Sequence, residues 1–387
     1  MTNKNSIISI SRWSIYLVLI LVNISYCPGI ILTPNYKNIV LIVTFLVGLN
    51  IGLNIKSCFN FAFKSLFFYA LAALLYCSII YLIFGIFLFQ NTNNIFLAFI
   101  CFLFGYSTPI RNKEFIYGCM TVFSVAALFL GLYSIFTNLG SFVISEQYAF
   151  QVKNSSGVLL ESAIISCAFI INQTDNRANF IWIGIMVLLF VCLLTFRCRT
   201  GIIAVICALT YFLYKSEILS KVIRNPFWGI LSIIIIALIL TETIQFDYLY
   251  DSLFANKDVN SIDDITSGRL STYEQGLRVF YENELLGNSI LNYNLPPIDN
   301  FVISNLVYYG LLGSLLVIPI YIYIWSITVI GMIKNKGESL LPFLLMFILC
   351  ITSFTEGPYP FGPGTPVIFG WFILGWYYKN REVYSNN

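Results

Sequence analysis

The chain has 387 residues, of which 58% are hydrophobic and only 10% are charged, and its formal net charge is +3. Soluble domains carry about 25% charged residues, so the composition excludes an ordinary water-soluble domain and favours a chain whose surroundings are membrane lipids. The small net charge gives no argument for a nucleic-acid partner, and none is expected.

The residue types also limit the chemistry. The chain contains no histidine, which excludes catalysis by histidine and every metal site with a histidine ligand. Nearly all of the ten cysteines lie inside apolar runs and none forms a CxxC pair, so we interpret them as small buried hydrophobic residues. We therefore expect neither a metal nor a cofactor.

Apolar runs of about 15–25 residues can cross a bilayer as helices, because only a helix satisfies its own backbone hydrogen bonds there. Such runs occur at residues 13–32, 38–54, 65–89, 93–108, 115–138, 156–172, 178–196, 200–214, 227–242, 301–331, 340–355 and 363–378. They predict an all-α polytopic membrane protein with about twelve transmembrane helices. We expect a single integral membrane domain over residues 1–387.

The basic residues predict the orientation. With a cytoplasmic N-terminus, fourteen of the twenty-one Lys and Arg residues fall on the cytoplasmic side, as the positive-inside rule requires. The basic residues that remain outside are Lys37, Lys153, Arg197, Arg199, Lys257, Arg269 and Arg278. These exceptions are candidates for binding an anion.

The stretch "QVKNSSGVLL", Gln151 to Leu160, places Lys153 at the outer mouth of the sixth run. Glu161 follows a turn inside the run, where ionisable groups are rare and are usually paired or functional. The alternative interpretation is an ordinary polar loop followed by a glutamate near the interface.

The stretch "TFRCRTGIIAV", Thr195 to Val205, places Arg197 and Arg199 in a short outer turn between two apolar runs. Flanking arginines often extend to lipid headgroups without further function. A guanidinium group also binds phosphate oxygens through a fork of donors and keeps its charge at every physiological pH. A diphosphate lipid headgroup at the outer leaflet is the ligand that suits this pair best.

Residues 243–300 form one large extracytoplasmic loop with nine acids and three bases. The helical spacing of apolar residues in "SGRLSTYEQGLRVFYENELLG" predicts an amphipathic helix on the outer face. Arg269 has no acid three or four residues away within this helix, so it is a candidate ligand contact. Arg278 has Glu274 and Glu282 four residues away on either side, so a surface ion pair is its alternative role.

The stretch "PPIDNFVISNLVYYGLLG" places Asp299 and Asn300 where the outer loop enters the tenth run. An aspartate at this point can cap a helix N-terminus. In a site with arginines it can instead act as a general base for a sugar hydroxyl. Asn300 is a candidate substrate contact beside it.

The runs "KNSSG", "FRCRTGIIAV", "SGRLSTYEQGLRVF" and "DNFVISNLVYYGLLGSLL" occur in this order among some twelve predicted spans. In this combination the chain resembles the O-antigen polymerase and ligase superfamily, and within it the Wzy-type polymerases. The likeness covers about residues 145–330 in motif and the whole chain in topology. Ligases of the superfamily typically have a histidine before the Asn at the tenth-span entry, and Asp299 in that place favours a polymerase.

The resemblance implies a GT-C-like glycosyltransferase of lipopolysaccharide biosynthesis in the bacterial inner membrane, with its active site facing the periplasm. It would transfer a glycan from undecaprenyl diphosphate to a second lipid-linked repeat unit, with inversion and without a metal. Arg197, Arg199 and Arg269, helped by Lys153, would hold the donor diphosphate. Asp299 would take the proton of the acceptor hydroxyl, and a chain-length regulator is a candidate partner.

Three other classes stay open, and one of them is a structural or scaffold membrane protein. A polysaccharide flippase or other transporter would be equally apolar, and an O-antigen ligase would use the same kind of lipid-linked donor. Transporters usually show repeat symmetry between their halves and charges buried within the spans. In this chain the charges of interest gather at one outer face, around the loop of residues 243–300.

Overall fold

A computed structural model describes residues 2–31, 33–55, 64–84, 89–137, 153–173, 176–196, 198–216, 269–288, 298–362 and 364–385. The regular elements in these ranges are all helical. The α-helices are α1 (Thr2–Ile24), α2 (Pro34–Leu53), α3 (Lys64–Phe84), α4 (Phe89–Ser107), α5 (Lys113–Thr137), α6 (Lys153–Gln173), α7 (Asn176–Thr195), α8 (Arg199–Lys215), α9 (Arg269–Glu282), α10 (Phe301–Lys334), α11 (Leu341–Thr352) and α12 (Ile368–Ser385). Short 3-10 turns precede α11 and α12 at Gly337–Leu340 and Thr365–Val367.

Five of the described helices are long and apolar enough to cross a membrane: α1 from Ser6 onward, α2, α5, α6 and α10. Large apolar side chains such as Trp13, Phe45 and Leu82 face outward from the bundle, as lipid-facing residues do. These features are those of a helical membrane protein and confirm the all-α prediction for the described residues. The twelve spans and the GT-C-like arrangement stay predictions, and the ninth predicted run, residues 227–242, lies outside the described residues.

One predicted boundary was wrong at the N-terminus. The first run was placed at residues 13–32, whereas α1 spans Thr2–Ile24. The polar first residues join the helix, and the chain turns after Ile24 because Pro28 and Gly29 follow, the latter with a φ of 80°.

Helix α6 lies at the centre of the bundle. Its residues 156–170 are all buried, and it packs against α5, α7, α8 and α11. Its buried residues are mostly apolar, with Ser156, Glu161, Ser162 and Ser166 as buried polar exceptions. Its N-terminal residues, Lys153 and Asn154, are therefore surrounded by other elements at one end of the bundle.

Helix α10 is broken at Gly310, whose φ of 62° and ψ of −170° interrupt the helical backbone. The backbone N–H groups of the next two residues then donate outside the helix, from Leu311 to Glu284 O at 2.7 Å and from Leu312 to Leu285 O at 3.1 Å. These bonds fasten the end of α9 to α10. The predicted amphipathic helix is thus confirmed as Arg269–Glu282, and it packs on α10.

Contacts among the described residues sort the bundle into two ends. At one end Lys113 pairs with Glu338 at 3.1 Å, and Trp376 Nε1 donates to Ile110 O at 2.8 Å. All of these residues are predicted to be cytoplasmic or next to the cytoplasm. The residues predicted to lie outside meet at the opposite end, where Thr355 Oγ1 donates to Thr200 Oγ1 at 2.9 Å.

Candidate functional site

Arg269, the first residue of α9, joins two carboxylates that come from different parts of the chain. Its Nη2 lies 3.3 Å from Glu356 Oε1, and its Nε lies 3.8 Å from Asp299 Oδ2. Glu356 belongs to the loop that follows α11, and Asp299 stands just before α10. The start of helix α9 therefore lies at the point where these two segments meet.

Hydrogen bonds hold the two carboxylate-bearing segments together. The Tyr273 hydroxyl lies within donating distance of Asp299 O at 2.7 Å and of Phe354 O at 3.1 Å. Asn300 Nδ2 donates to Phe354 O at 3.3 Å, and Phe301 N donates to Ser353 O at 3.0 Å. The entry of α10 and the loop after α11 are thus fixed to each other, which keeps Asp299 close to Glu356.

A second set of contacts ties Glu356 to the central helix. Asn154 Nδ2, in the first turn of α6, donates to Glu356 Oε1. The thiol Sγ of Cys198 lies 3.8 Å from Asn154 Oδ1 and 3.8 Å from Oε1 of the fully buried Glu161. A side chain at Gly201 would collide with Glu161, so the glycine in "RTGII" leaves room for this carboxyl. A chain of polar contacts therefore runs from Glu356 into the bundle.

Three basic residues converge on the same place. Lys153 at the start of α6 interacts electrostatically with Arg199, Arg269 and Glu356. Arg199 is the first residue of α8, so the three cations come from three helices that are distant in sequence. We call Lys153, Arg199, Arg269, Asp299 and Glu356 the outer cluster. Its three cations outnumber its two carboxylates, and such an excess of positive charge attracts anions.

The protonation of the two carboxyl groups is shifted. Burial raises the pKa of Glu356 to about 7, and the charge of Asp299 raises it as well, while Arg269, Lys153 and the Asn154 hydrogen bond act in the opposite direction. Burial also raises the pKa of Asp299, opposed by Arg269. Glu356 therefore exists in both protonation states near neutral pH, as a group that takes up and releases a proton must.

The structure brings together four of the seven predicted site residues, namely Lys153, Arg199, Arg269 and Asp299. Arg197 lies outside the described residues. Asn300 is adjacent, but its side chain is engaged with the backbone: Oδ1 accepts from Ile303 N at 3.0 Å as the N-cap of α10. This contact gives Asn300 a structural task beside the cluster.

Arg278 lies apart from the cluster. It is on α9, nine residues beyond Arg269, and its side chain is 79% exposed. Its Nη2 lies 4.0 Å from Glu274 Oε2. The geometry is that of the surface ion pair considered as the alternative role.

Glu356 was missed by the sequence reasoning. It lies in "TSFTEGPYPFGPG", a loop rich in Pro and Gly between the last two apolar runs. Under the predicted topology this loop is on the outer side, so a lone acid there could have been grouped with the outer basic residues. Among the described residues, no group of three Cys, Asp or Glu side chains is placed to hold a metal ion.

No protein-family model matches the chain, and no curated protein matches it. The described residues define a helical membrane protein with a cluster of charged side chains, the outer cluster, at one end of its bundle.

Proposed function

We propose that the chain is a glycosyltransferase that polymerises undecaprenyl-diphosphate-linked repeat units into O-antigen or a similar surface polysaccharide. The reaction would occur at the periplasmic face of the bacterial inner membrane, with inversion and without a metal. The observation that carries this proposal is the outer cluster, in which three cations and two carboxylates meet at one end of an apolar helical bundle.

The three cations of the outer cluster would bind the diphosphate of the lipid-linked donor. The leaving group of a polyprenyl-diphosphate glycan is a diphosphate anion, and its charge grows as the bond to the sugar breaks. Arg199, Arg269 and Lys153 come from three packed elements, so their charges are in place before the reaction begins. Such preorganised positive charge stabilises a developing anion more strongly than mobile solvent does, and Arg197 lies next to this group in sequence.

The two carboxylates of the outer cluster would act on the hydroxyl group of the acceptor sugar. A sugar hydroxyl is a weak nucleophile until a base takes its proton, and a carboxylate within hydrogen-bonding reach is a usual base. Asp299 was predicted for this role, and Glu356 now stands beside it. Since a nucleotide sugar is not available outside the cytoplasm, a lipid carrier is the form in which the activated glycan would reach this face.

The position of the cluster favours transfer over transport. A transporter is expected to bind its substrate near the middle of the membrane, between broken helices. The described charges of the outer cluster stand at helix ends and in connecting loops, and Glu161 is the buried carboxyl beneath them. At the break in α10, the backbone N–H groups of Leu311 and Leu312 donate to the carbonyl groups of residues 284 and 285, so these two N–H groups are not offered to a substrate.

Deletion of the gene followed by gel analysis of surface polysaccharide tests the proposal. We expect single repeat units on the surface in place of long polymer, with the polymer restored when the chain is supplied from a plasmid. Complete absence of surface glycan would indicate a flippase. Retention of lipid-linked polymer with loss from the final acceptor would indicate a ligase.

A further inference from the structure

Glu356 is the point at which the elements of the outer cluster converge. It receives a hydrogen bond from Asn154 on α6 and an ion pair from Arg269 on α9. We propose that Glu356, and not Asp299, is the proton acceptor for the acceptor hydroxyl, and that Asp299 is a positioning residue that holds Arg269. This inference rests on the proposed function.

The contacts of the Glu356 side chain fix the direction of its carboxylate. The described hydrogen bond and ion pair of the Glu356 side chain both use the same oxygen, Oε1. Two donors from different helices therefore set the orientation of the carboxylate. The Asp299 side chain has one described contact, at 3.8 Å with Arg269 Nε. A base must be held in a defined direction to take a proton efficiently. Glu356 meets this requirement better, and its Oε2 is the oxygen that would accept the proton.

The Glu356 side chain is also less exposed to solvent than that of Asp299. The side chain of Glu356 is 19% exposed, whereas that of Asp299 is 42% exposed. A partly desolvated carboxylate binds a proton more strongly and is therefore the better base at neutral pH. Asp299 then has a separate role, since its charge both anchors Arg269 and increases the proton affinity of its neighbour.

The charged and titratable groups that face Glu356 are consistent with a base near neutrality. Burial raises its pKa to about 7, and Asp299 acts in the same direction, while Arg269 and Lys153 limit the rise. Three further groups interact electrostatically with Glu356, and the pKa of each is raised chiefly by burial: Cys198, Tyr273 and Tyr359. All three are proton-bearing at neutral pH, so their own protonation does not change over the range in which Glu356 ionises.

In the proposed transfer, one bond forms and one bond breaks at the anomeric carbon of the donor sugar. The hydroxyl oxygen of the acceptor sugar forms a bond to the anomeric carbon of the donor, and the bond between that carbon and the phosphate oxygen breaks. The electron pair of the broken bond leaves with the diphosphate, which Arg199, Arg269 and Lys153 stabilise. The hydroxyl proton passes to Glu356 Oε2, making a neutral carboxylic acid, and is later released to water.

The test uses the purified full chain in lipid nanodiscs, with the undecaprenyl-diphosphate-linked repeat unit extracted from the deletion strain as both donor and acceptor. The variants are Glu356→Gln, Glu356→Asp and Asp299→Asn, and Glu338→Gln at the opposite end of the bundle is the control. We expect Glu356→Gln to slow transfer by about 10²–10⁴-fold while binding of the lipid-linked donor is retained. Glu356→Asp should keep part of the activity, and Glu338→Gln should be like the wild type.

The pH profile separates a base from a structural residue. A base works only when deprotonated, so the wild-type rate should rise with pH through about 7, and this rise should be absent from the residual activity of Glu356→Gln. Wild-type transfer by Glu356→Gln, an unchanged pH profile, or a loss explained by lost donor binding would each overturn the inference. A wild-type protein that transfers nothing, together with normal polymer in the deletion strain, would instead overturn the proposed function.

Discussion

Arg269 and Glu356 contact each other across 87 residues of sequence, with Arg269 Nη2 3.3 Å from Glu356 Oε1. This contact links the helix of the large outer loop to the loop between the last two helices. It also places a guanidinium group beside two carboxylates at the end of the bundle. Substitution of either residue of the pair therefore tests whether these side chains belong to the site.

Arg269→Ala and Arg278→Ala form a matched pair on one helix. Arg269→Ala removes the cation that both carboxylates contact, so we expect long-chain polymer to be lost. Arg278→Ala removes an exposed ion pair at four-residue spacing, which contributes little to stability, so polymer length should stay near normal. Gel analysis of surface polysaccharide, with immunoblotting for protein level, measures both. Similar phenotypes for the two variants would contradict the assignment of Arg269 to the site.

Arg199→Ala should also abolish long-chain polymer without lowering the protein level, because it removes one of the three cations proposed to hold the diphosphate. Lys37→Ala is the control, since Lys37 is an exposed basic residue on the same predicted face. The chain-length distribution on gels is the readout. If Arg199→Ala gives near-normal chain lengths, Arg199 is not part of the site, and its role is to contact lipid headgroups.

The arginines were predicted from the sequence because charge is rare in this chain and the positive-inside rule makes outer cations conspicuous. The helix over Arg269–Glu282 was predictable because its apolar residues repeat at helical spacing. Glu356 lies in an irregular loop without periodicity, and as an acid it is no exception to the positive-inside rule, so only its place on the predicted outer side could have grouped it with the basic residues. Its importance arises from contacts with Asn154 and Arg269, which are distant in sequence and meet only in the folded chain.

The same distinction applies to helix ends. The tenth run was predicted at residues 301–331 and α10 begins at Phe301, but its N-cap is Asn300 and not Asp299, the residue that the sequence offered for capping. The kink at Gly310 was not predicted. One glycine in an apolar run is compatible with a straight helix, and only the packing of residues 284 and 285 against it supplies partners for the released backbone N–H groups.

Gly201→Ala tests the buried connection between Glu161 and Cys198. An added methyl group at Gly201 would overlap Glu161 Oε1 and press on Cys198 Sγ, and overpacking of this kind costs about 1–3 kcal/mol. Gly184→Ala is the matched control in a helix, because its added methyl group would meet nothing within 4 Å. Thermal unfolding in nanodiscs should show a lower midpoint for Gly201→Ala alone. Equal midpoints for both variants would mean that the Glu161 carboxyl is not held against Gly201.

The side of the membrane on which the outer cluster lies decides whether a periplasmic lipid diphosphate can reach it. The direct measurement is labelling of spheroplasts with a membrane-impermeant maleimide, using Ser271→Cys on α9 and Lys336→Cys at the opposite end, with the parent chain as the blank. If the outer cluster faces the periplasm, we expect Ser271→Cys to be labelled in intact spheroplasts and Lys336→Cys to be labelled only after permeabilisation. Labelling of Lys336→Cys but not Ser271→Cys in intact spheroplasts would place the cluster in the cytoplasm and contradict the proposed chemistry.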